Sequence, residues 1–194
     1  MKKIVIFASG SGTNAQNIVL HFNNNSKLHQ FYIFSNNLEA KVLEKAQNLS
    51  VPTKIFSRED LNSDIVLNNL IEIQPDLIIL AGFLLKFPSN CIVAFPNKII
   101  NIHPALLPKY GGKGMYGMHV HRAVVANKEA QTGITIHYVN ENYDDGNIIF
   151  QKSVSLSGDE TPEDVAGKIH ELEQTQFPLI IEKLINQDLT PNTI

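Results

Sequence analysis

Lys3-Ile4-Val5-Ile6-Phe7-Ala8-Ser9-Gly10-Ser11-Gly12-Thr13-Asn14 passes from a β-rich apolar run into a glycine loop, after which Ile18, Val19 and Phe22 recur at helical spacing. Strand, tight glycine turn and helix is the opening unit of a parallel α/β sheet. The following segments repeat it. Phe31 to Phe34 reads as a strand, Leu38 to Leu49 as a helix, Thr53 to Phe56 as a short strand and Arg58 to Ile73 as a helix stopped before Pro75. Leu77 to Leu80 is a fourth apolar run and Lys98-Ile99-Ile100 a fifth. Such alternation with short links predicts a doubly wound, mostly parallel sheet.

Beyond residue 104 the pattern changes. Pro104 to Met118 holds two prolines and four glycines, which predicts a long irregular loop, placed as a lid over its neighbours. A short helix is expected from His119 to Asn127. Thr132 to Val139 and Asn147 to Val154 read as two strands joined by an acidic turn, a C-terminal antiparallel hairpin. Thr161-Pro162-Glu163-Asp164 then starts a helix, with Thr as cap and acids in the first turn. Phe177-Pro178 is expected to break or restart it before Leu179 to Ile185, and Asp188 to Ile194 to lie loosely.

With 194 residues and 43% hydrophobic content the chain fits a single domain, 1–194, with a full core. Net charge is −3, and the longest basic run is Lys2-Lys3, so no nucleic-acid partner is expected. No stretch approaches the roughly 18 apolar residues of a spanning helix, which argues against a membrane protein. Cys91 is the only cysteine, which excludes an internal disulfide and, with a first strand starting at Lys3, points to the cytoplasm. Cys91 reads as buried filler.

Chemistry concentrates where apolar runs end. Glycines let a backbone approach an anion, and a helix start attracts phosphate, so Gly10 to Asn14 is a phosphate cradle or a plain βα turn. A dinucleotide site would want an acid at the end of the second strand, and Ser35-Asn36-Asn37 stands there instead. Asn101-Ile102-His103-Pro104 delivers a carboxamide and an imidazole to the carboxyl end of a strand. One can donate to an oxyanion and the other moves protons near neutrality, a pairing suited to acyl or formyl transfer. The anion this imidazole lacks locally is expected from Asp144 or Asp145, with the effect of raising the imidazole pKa. A satisfied core histidine is the plainer reading of His103. Ala81 to Pro88 is either one wall of a flat pocket or a helix start. His119 and His121, two apart, face different sides of a helix, so no metal site is expected.

Taken together, Ser9-Gly10-Ser11-Gly12-Thr13-Asn14, Phe34-Ser35-Asn36, Ala81-Gly82-Phe83-Leu84, Asn101-Ile102-His103-Pro104-Ala105-Leu106-Leu107-Pro108-Lys109-Tyr110, His119-Val120-His121-Arg122 and Asp144-Asp145-Gly146-Asn147-Ile148-Ile149 resemble the phosphoribosylglycinamide formyltransferases of the folate-dependent formyltransferase family. The resemblance implies a Rossmann-like fold that moves a formyl group from 10-formyltetrahydrofolate to the amine of 5-phosphoribosylglycinamide in purine synthesis. It implies no metal. It implies catalytic roles for Asn101, His103 and Asp144, substrate binding by Gly12, Thr13, Asn14 and Glu173, and folate binding by Arg58, Leu84, Leu85, Lys86, Phe87 and Asn101. Residues of about 1–100 would bind phosphate and those of about 101–187 would carry the chemistry. The partners implied are small molecules, met by a monomer or homodimer. Leu85 stands where relatives often carry a basic residue, with Lys86 next. Within the same family a methionyl-tRNA formyltransferase would add a basic C-terminal domain, and a deformylase an N-terminal one. A nucleotide-binding module and a dehydrogenase are the readings outside it.

Overall fold

β1 (Lys3–Phe7) runs through the glycine loop into α1 (Thr13–Asn24), β2 (Gln30–Ser35) into α2 (Lys41–Asn48), and β3 (Thr53–Ile55) into α3 (Arg58–Asn62) and α4 (Asp64–Ile73). β4 (Leu77–Leu80) leads to α5 (Ser89–Ala94), which begins just beyond the stretch read as a pocket wall or a helix start, and then to β5 (Ile99–His103). After the long loop come α6 (Met118–Ala126), β6 (Gln131–Tyr138), β7 (Ile148–Ser155) and α7 (Pro162–Ile185). This computed structural model describes residues 1–24 and 29–186, so the expectation for Asp188 to Ile194 lies outside the described residues.

The seven strands form one sheet in the order β3-β2-β1-β4-β5-β6-β7. The first five pair in parallel, whereas β5 with β6 and β6 with β7 pair antiparallel. The central strands are apolar throughout because helices cover both faces. Ile4, Ile6, Ile79 and Ile100 join the core that holds Ile18, Val42, Val165 and Phe177. Val5, Phe7, Ile78 and Leu80 join a second one with Leu61, Leu70 and Cys91. Doubly wound architecture with a C-terminal antiparallel hairpin and helix is thus what the chain adopts.

Two elements depart from expectation. The segment 58–73 is two helices, because Ser63 is extended (φ −102°, ψ −173°) and its hydroxyl accepts from the Ile65 N–H, capping α4 just as α3 ends. Conversely, α7 runs unbroken through Pro178. A proline leaves the carbonyl four residues back without its donor. Here that carbonyl belongs to Gln174, and the Asn17 carboxamide donates to it at 2.7 Å.

No described helix is long and apolar enough to cross a membrane. Cys91 is wholly buried, and burial, reinforced by the charge of Asp64, pushes its thiol up to about 11. A thiol reagent at pH 8 is therefore expected to leave the native protein unmodified and to label it once denatured. Labelling of the folded protein at the rate of a free thiol would contradict this.

Candidate active site

The strand order reverses at β1 and β4, and an open α/β sheet forms its crevice at such a point. Ser9 holds the crevice edges together. Its N–H donates to the Gly82 carbonyl at 3.0 Å, while its hydroxyl accepts from the Leu84 N–H at 3.0 Å and donates to Asn36 at 2.6 Å. The polar turn after β2 is thereby a structural tie. Gly12 sits at φ +66°, and a β-carbon there would overlap Val42, so a side chain is excluded on two grounds; its carbonyl opens α1 by accepting from Gln16.

A cavity of about 470 Å³ runs along this edge of the sheet. Gly10 to Asn14 line one end with His170 and Glu173 of α7, and Leu84 to Phe87 line the other with Asn140, Asn142 and Tyr143. Between the ends lie Asn101, His103, His137 and Asp144.

Asn101 and His103 project to the same side of β5, two residues apart. β6 lies alongside in a register that sets His137 opposite Asn101 and Thr135 opposite His103. The turn beyond β6 then returns Asp144 to them, with Asp144 at φ 53°. One Asp144 oxygen accepts from the Gly112 N–H at 2.9 Å and lies 3.5 Å from His103 Nδ1. The other is 3.4 Å from the Asn101 amide nitrogen and 3.6 Å from His137 Nε2. Asp145 points elsewhere, accepting from the Asn142 carboxamide at 3.0 Å on the exposed side of the turn. Of the two acids, the structure brings Asp144 to His103.

The hydrogen bonds assign the ring protons. His103 Nε2 lies 2.7 Å from the Tyr110 carbonyl, which accepts only, so the N–H is on Nε2 and the Nδ1 lone pair faces Asp144. His137 Nδ1 likewise donates to the Tyr138 carbonyl at 2.9 Å, leaving Nε2 to accept from Asn101 at 3.1 Å. Burial lowers the pKa of His103, and the neighbouring His137 lowers it further, against the opposing pull of Asp144 and the Tyr110 carbonyl. This corrects the expectation of a raised value: Asp144 raises it, but burial prevails. For Asp144, burial works upward and is outweighed by the neighbouring His137 and His103 rings and the Gly112 N–H, so its pKa is lowered. The pair near neutrality is a neutral imidazole facing a carboxylate, with an empty seat for a proton between them.

The remaining expected residues divide. Gly12, Thr13 and Asn14 line the cavity, but the Asn14 side chain is spent on α7, donating to Glu173 at 2.8 Å and accepting from Gln174 at 2.6 Å. What Asn14 offers an anion is its backbone N–H. Leu84, Leu85, Lys86 and Phe87 all line the far end, where the Lys86 ammonium lies 5.8 Å from the centre of the Tyr143 ring. Phe87 is also core, edge-on to Phe7 with 5.1 Å between ring centres. Arg58 is not brought in; it sits exposed at the start of α3, outside the cavity lining. The loop expected as a lid forms a wall through Gly112, Gly114, Met115 and Gly117. Its first half is tied down, with Lys109 and Tyr110 both donating to Glu129 and Gln151 donating to the Leu107 carbonyl. Among the described residues no group of three or more His, Cys, Asp or Glu is placed to hold a metal.

His137, His121, His170 and the Tyr110 carbonyl were not expected in the site. For His137 the available signal was the alternation of β6, which sets it on the face opposite Ile134 and Ile136.

Residues 2–181 match the formyl transferase family. The phosphoribosylglycinamide formyltransferase of Bacillus subtilis is 32% identical over 191 residues, covering 95% of both chains. The chloroplastic protein of that name from Arabidopsis thaliana is 35% identical over 175 residues, 87% of this chain and 60% of the relative, so this chain spans less than two thirds of the plant protein. Among solved structures, glycinamide ribonucleotide transformylase 1 of Geobacillus kaustophilus superposes with a TM-score of 0.86 at 33% identity, over 95% of this chain and 98% of that one.

Proposed function

The chain belongs to the formyl transferase family, and from that premise we propose that it transfers the formyl group of 10-formyltetrahydrofolate to the amine of 5-phosphoribosylglycinamide, giving the N-formyl product and tetrahydrofolate. The observation that carries this reading is the continuity of the cavity. The glycine loop Gly10 to Asn14 and the largely apolar stretch Leu84 to Phe87 line the same cavity as Asn101, His103 and Asp144.

The phosphate lies against the backbone N–H groups of Gly12, Thr13 and Asn14 at the start of α1. Glu173 receives the ribose hydroxyls, and Leu84 to Phe87 with Tyr143 hold the folate. The neutral amine attacks the formyl carbon, and the carbonyl electrons move to oxygen. Asn101 donates to that oxyanion. His103 Nδ1 takes the proton the amine sheds, becoming an imidazolium 3.5 Å from Asp144, and the proton leaves with the folate N10 as the C–N bond breaks. His137 turns its lone pair to the Asn101 amide and so aims it. Residues of about 1–100 supply most of the anion cradle and those of about 101–187 the chemistry, with α7 reaching back to the cradle. The partners are small molecules, the protein acts as a monomer or homodimer, and the free, buried Cys91 fits a reducing cytoplasm.

Release of the deformylated folate can be followed by absorbance. A rise that requires phosphoribosylglycinamide supports the transferase; a rise without the amine indicates a deformylase, and none in either case overturns the reading.

Glu173 has a separate, opposite signature. Burial raises its pKa and the Asn14 amide pulls it down less. Its contribution to stability is therefore present below about 4.5 and lost as pH rises through the raised folded value. Glu173→Gln keeps an acceptor for Asn14 without the charge. It is expected to unfold at a higher temperature than the parent at pH 7 and at the same one at pH 4. Its KM for the ribosyl substrate should rise about tenfold, the loss of one charge-assisted hydrogen bond. An unchanged KM would remove Glu173 from the ribose site.

A further inference from the structure

His121 lines the same cavity and has no part in the chemistry above. It rises from the first turn of α6, is 6% exposed, and makes no hydrogen bond to any described residue. Its Nδ1 is closed off from solvent without a partner. His119, two residues earlier, is exposed and stacks edge-on with Tyr116. A buried, unpaired polar atom is costly, and an apolar side chain would fill this space without that cost. What keeps an imidazole here is its other nitrogen: Nε2 is not closed off, and the ring lines the cavity, so Nε2 can meet a partner that arrives from outside.

Its surroundings define the partner. Burial, and then the charge of His103, hold the ring below the ordinary imidazole value, so it is neutral and carries one N–H. An orphaned buried N–H is rarer than an orphaned acceptor, which puts the lone pair on Nδ1 and the N–H on Nε2. The helix that carries His121 packs against α7, whose Ile169, His170 and Glu173 line the ribosyl end. His121 therefore stands between the ribosyl end and His103. A substrate with its phosphate in the glycine loop and its amine at His103 passes its carboxamide through this span.

We propose that His121 donates a hydrogen bond to the carboxamide oxygen of the glycinamide, so that the site selects an amine carrying that carbonyl. The inference rests on the formyl-transfer reading and deepens it. A neutral imidazole acting as a donor has precedent in triosephosphate isomerase.

Steady-state kinetics of His121→Gln and His121→Phe test it. Glutamine can present an amide N–H in place of Nε2, and phenylalanine cannot. His121→Phe should raise the KM for phosphoribosylglycinamide about tenfold, leave the KM for the formyl folate unchanged, and unfold at or above the parental temperature. His121→Gln should stay within about threefold of the parent. A parental KM in His121→Phe, or a glutamine variant as poor as the phenylalanine one, overturns the proposal. A measurement on the unmodified protein guards against misfolded variants: an analogue with methylene in place of that carbonyl should bind about tenfold more weakly by calorimetry, and equal binding overturns it. Failure of the underlying reading looks different, since the parent would then show no amine-dependent turnover.

Discussion

His103→Ala and Asp144→Asn are each expected to lower turnover about a hundredfold or more, with circular dichroism and the KM for phosphoribosylglycinamide little changed. Loss of a positioned proton carrier or oxyanion partner typically removes a factor on the order of 10²–10³. In His103→Ala the proton shed by the amine has no seat on the enzyme, and the Tyr110 carbonyl loses its 2.7 Å donor. Asp144→Asn is the subtler change. The asparagine oxygen still accepts from Gly112, so the turn keeps its shape, but no negative charge faces Nδ1 when the imidazolium forms. Removing that charge also lowers the pKa of His103 further. Steady-state kcat for both variants is the measurement, and near-parental turnover in either would remove that residue from the mechanism.

Gly146→Ala is expected to match Asp144→Asn in lost turnover, although residue 146 touches no ligand. A β-carbon there would overlap the Tyr138 carbonyl oxygen, and the neighbouring Tyr138 N–H donates to Asn147 at 2.9 Å, so the two chain ends of the turn are already in contact. The turn must open, and Asp144, held at φ 53° in its middle, moves with it. Thermal unfolding should register about 1–3 kcal/mol of strain. Gly167→Ala is the control: nothing lies within 4 Å of its β-carbon position, it sits inside α7, and it should gain up to about 1 kcal/mol with parental turnover. Parental kcat in Gly146→Ala would show that Asp144 does not depend on this turn.

What could be read along the chain was local. The glycine loop at the end of β1 and the Asn-Ile-His-Pro end of β5 announce themselves through a change from apolar periodicity to polar groups, and both line the cavity. What escaped depends on contacts between distant segments. His137 faces the site because of the antiparallel register that sets it against Asn101, and Asp144 outranks Asp145 because of one left-handed backbone position. Pro178 leaves α7 intact because Asn17, on another helix, satisfies the freed carbonyl. Ser63 was legible in principle, since serine is a favoured cap, but the apolar spacing around it carried straight across the break. The pKa of His103 moves opposite to expectation because burial is a property of the folded molecule, while the carboxylate was visible in the sequence. The exposed position of Arg58 has the same origin: a basic residue at a helix start says nothing about its distance from a cavity.

The mechanism proposed for this chain is direct transfer between two ligands bound in one cavity. A single-turnover reaction with 10-formyltetrahydrofolate carrying carbon-13 in its formyl group, followed by NMR, tests it most directly. The label is expected to move in one step from the folate to a formamide on phosphoribosylglycinamide, stoichiometric with enzyme and without free formate. Label appearing as formate, or remaining on the folate while the amine is bound, would contradict it.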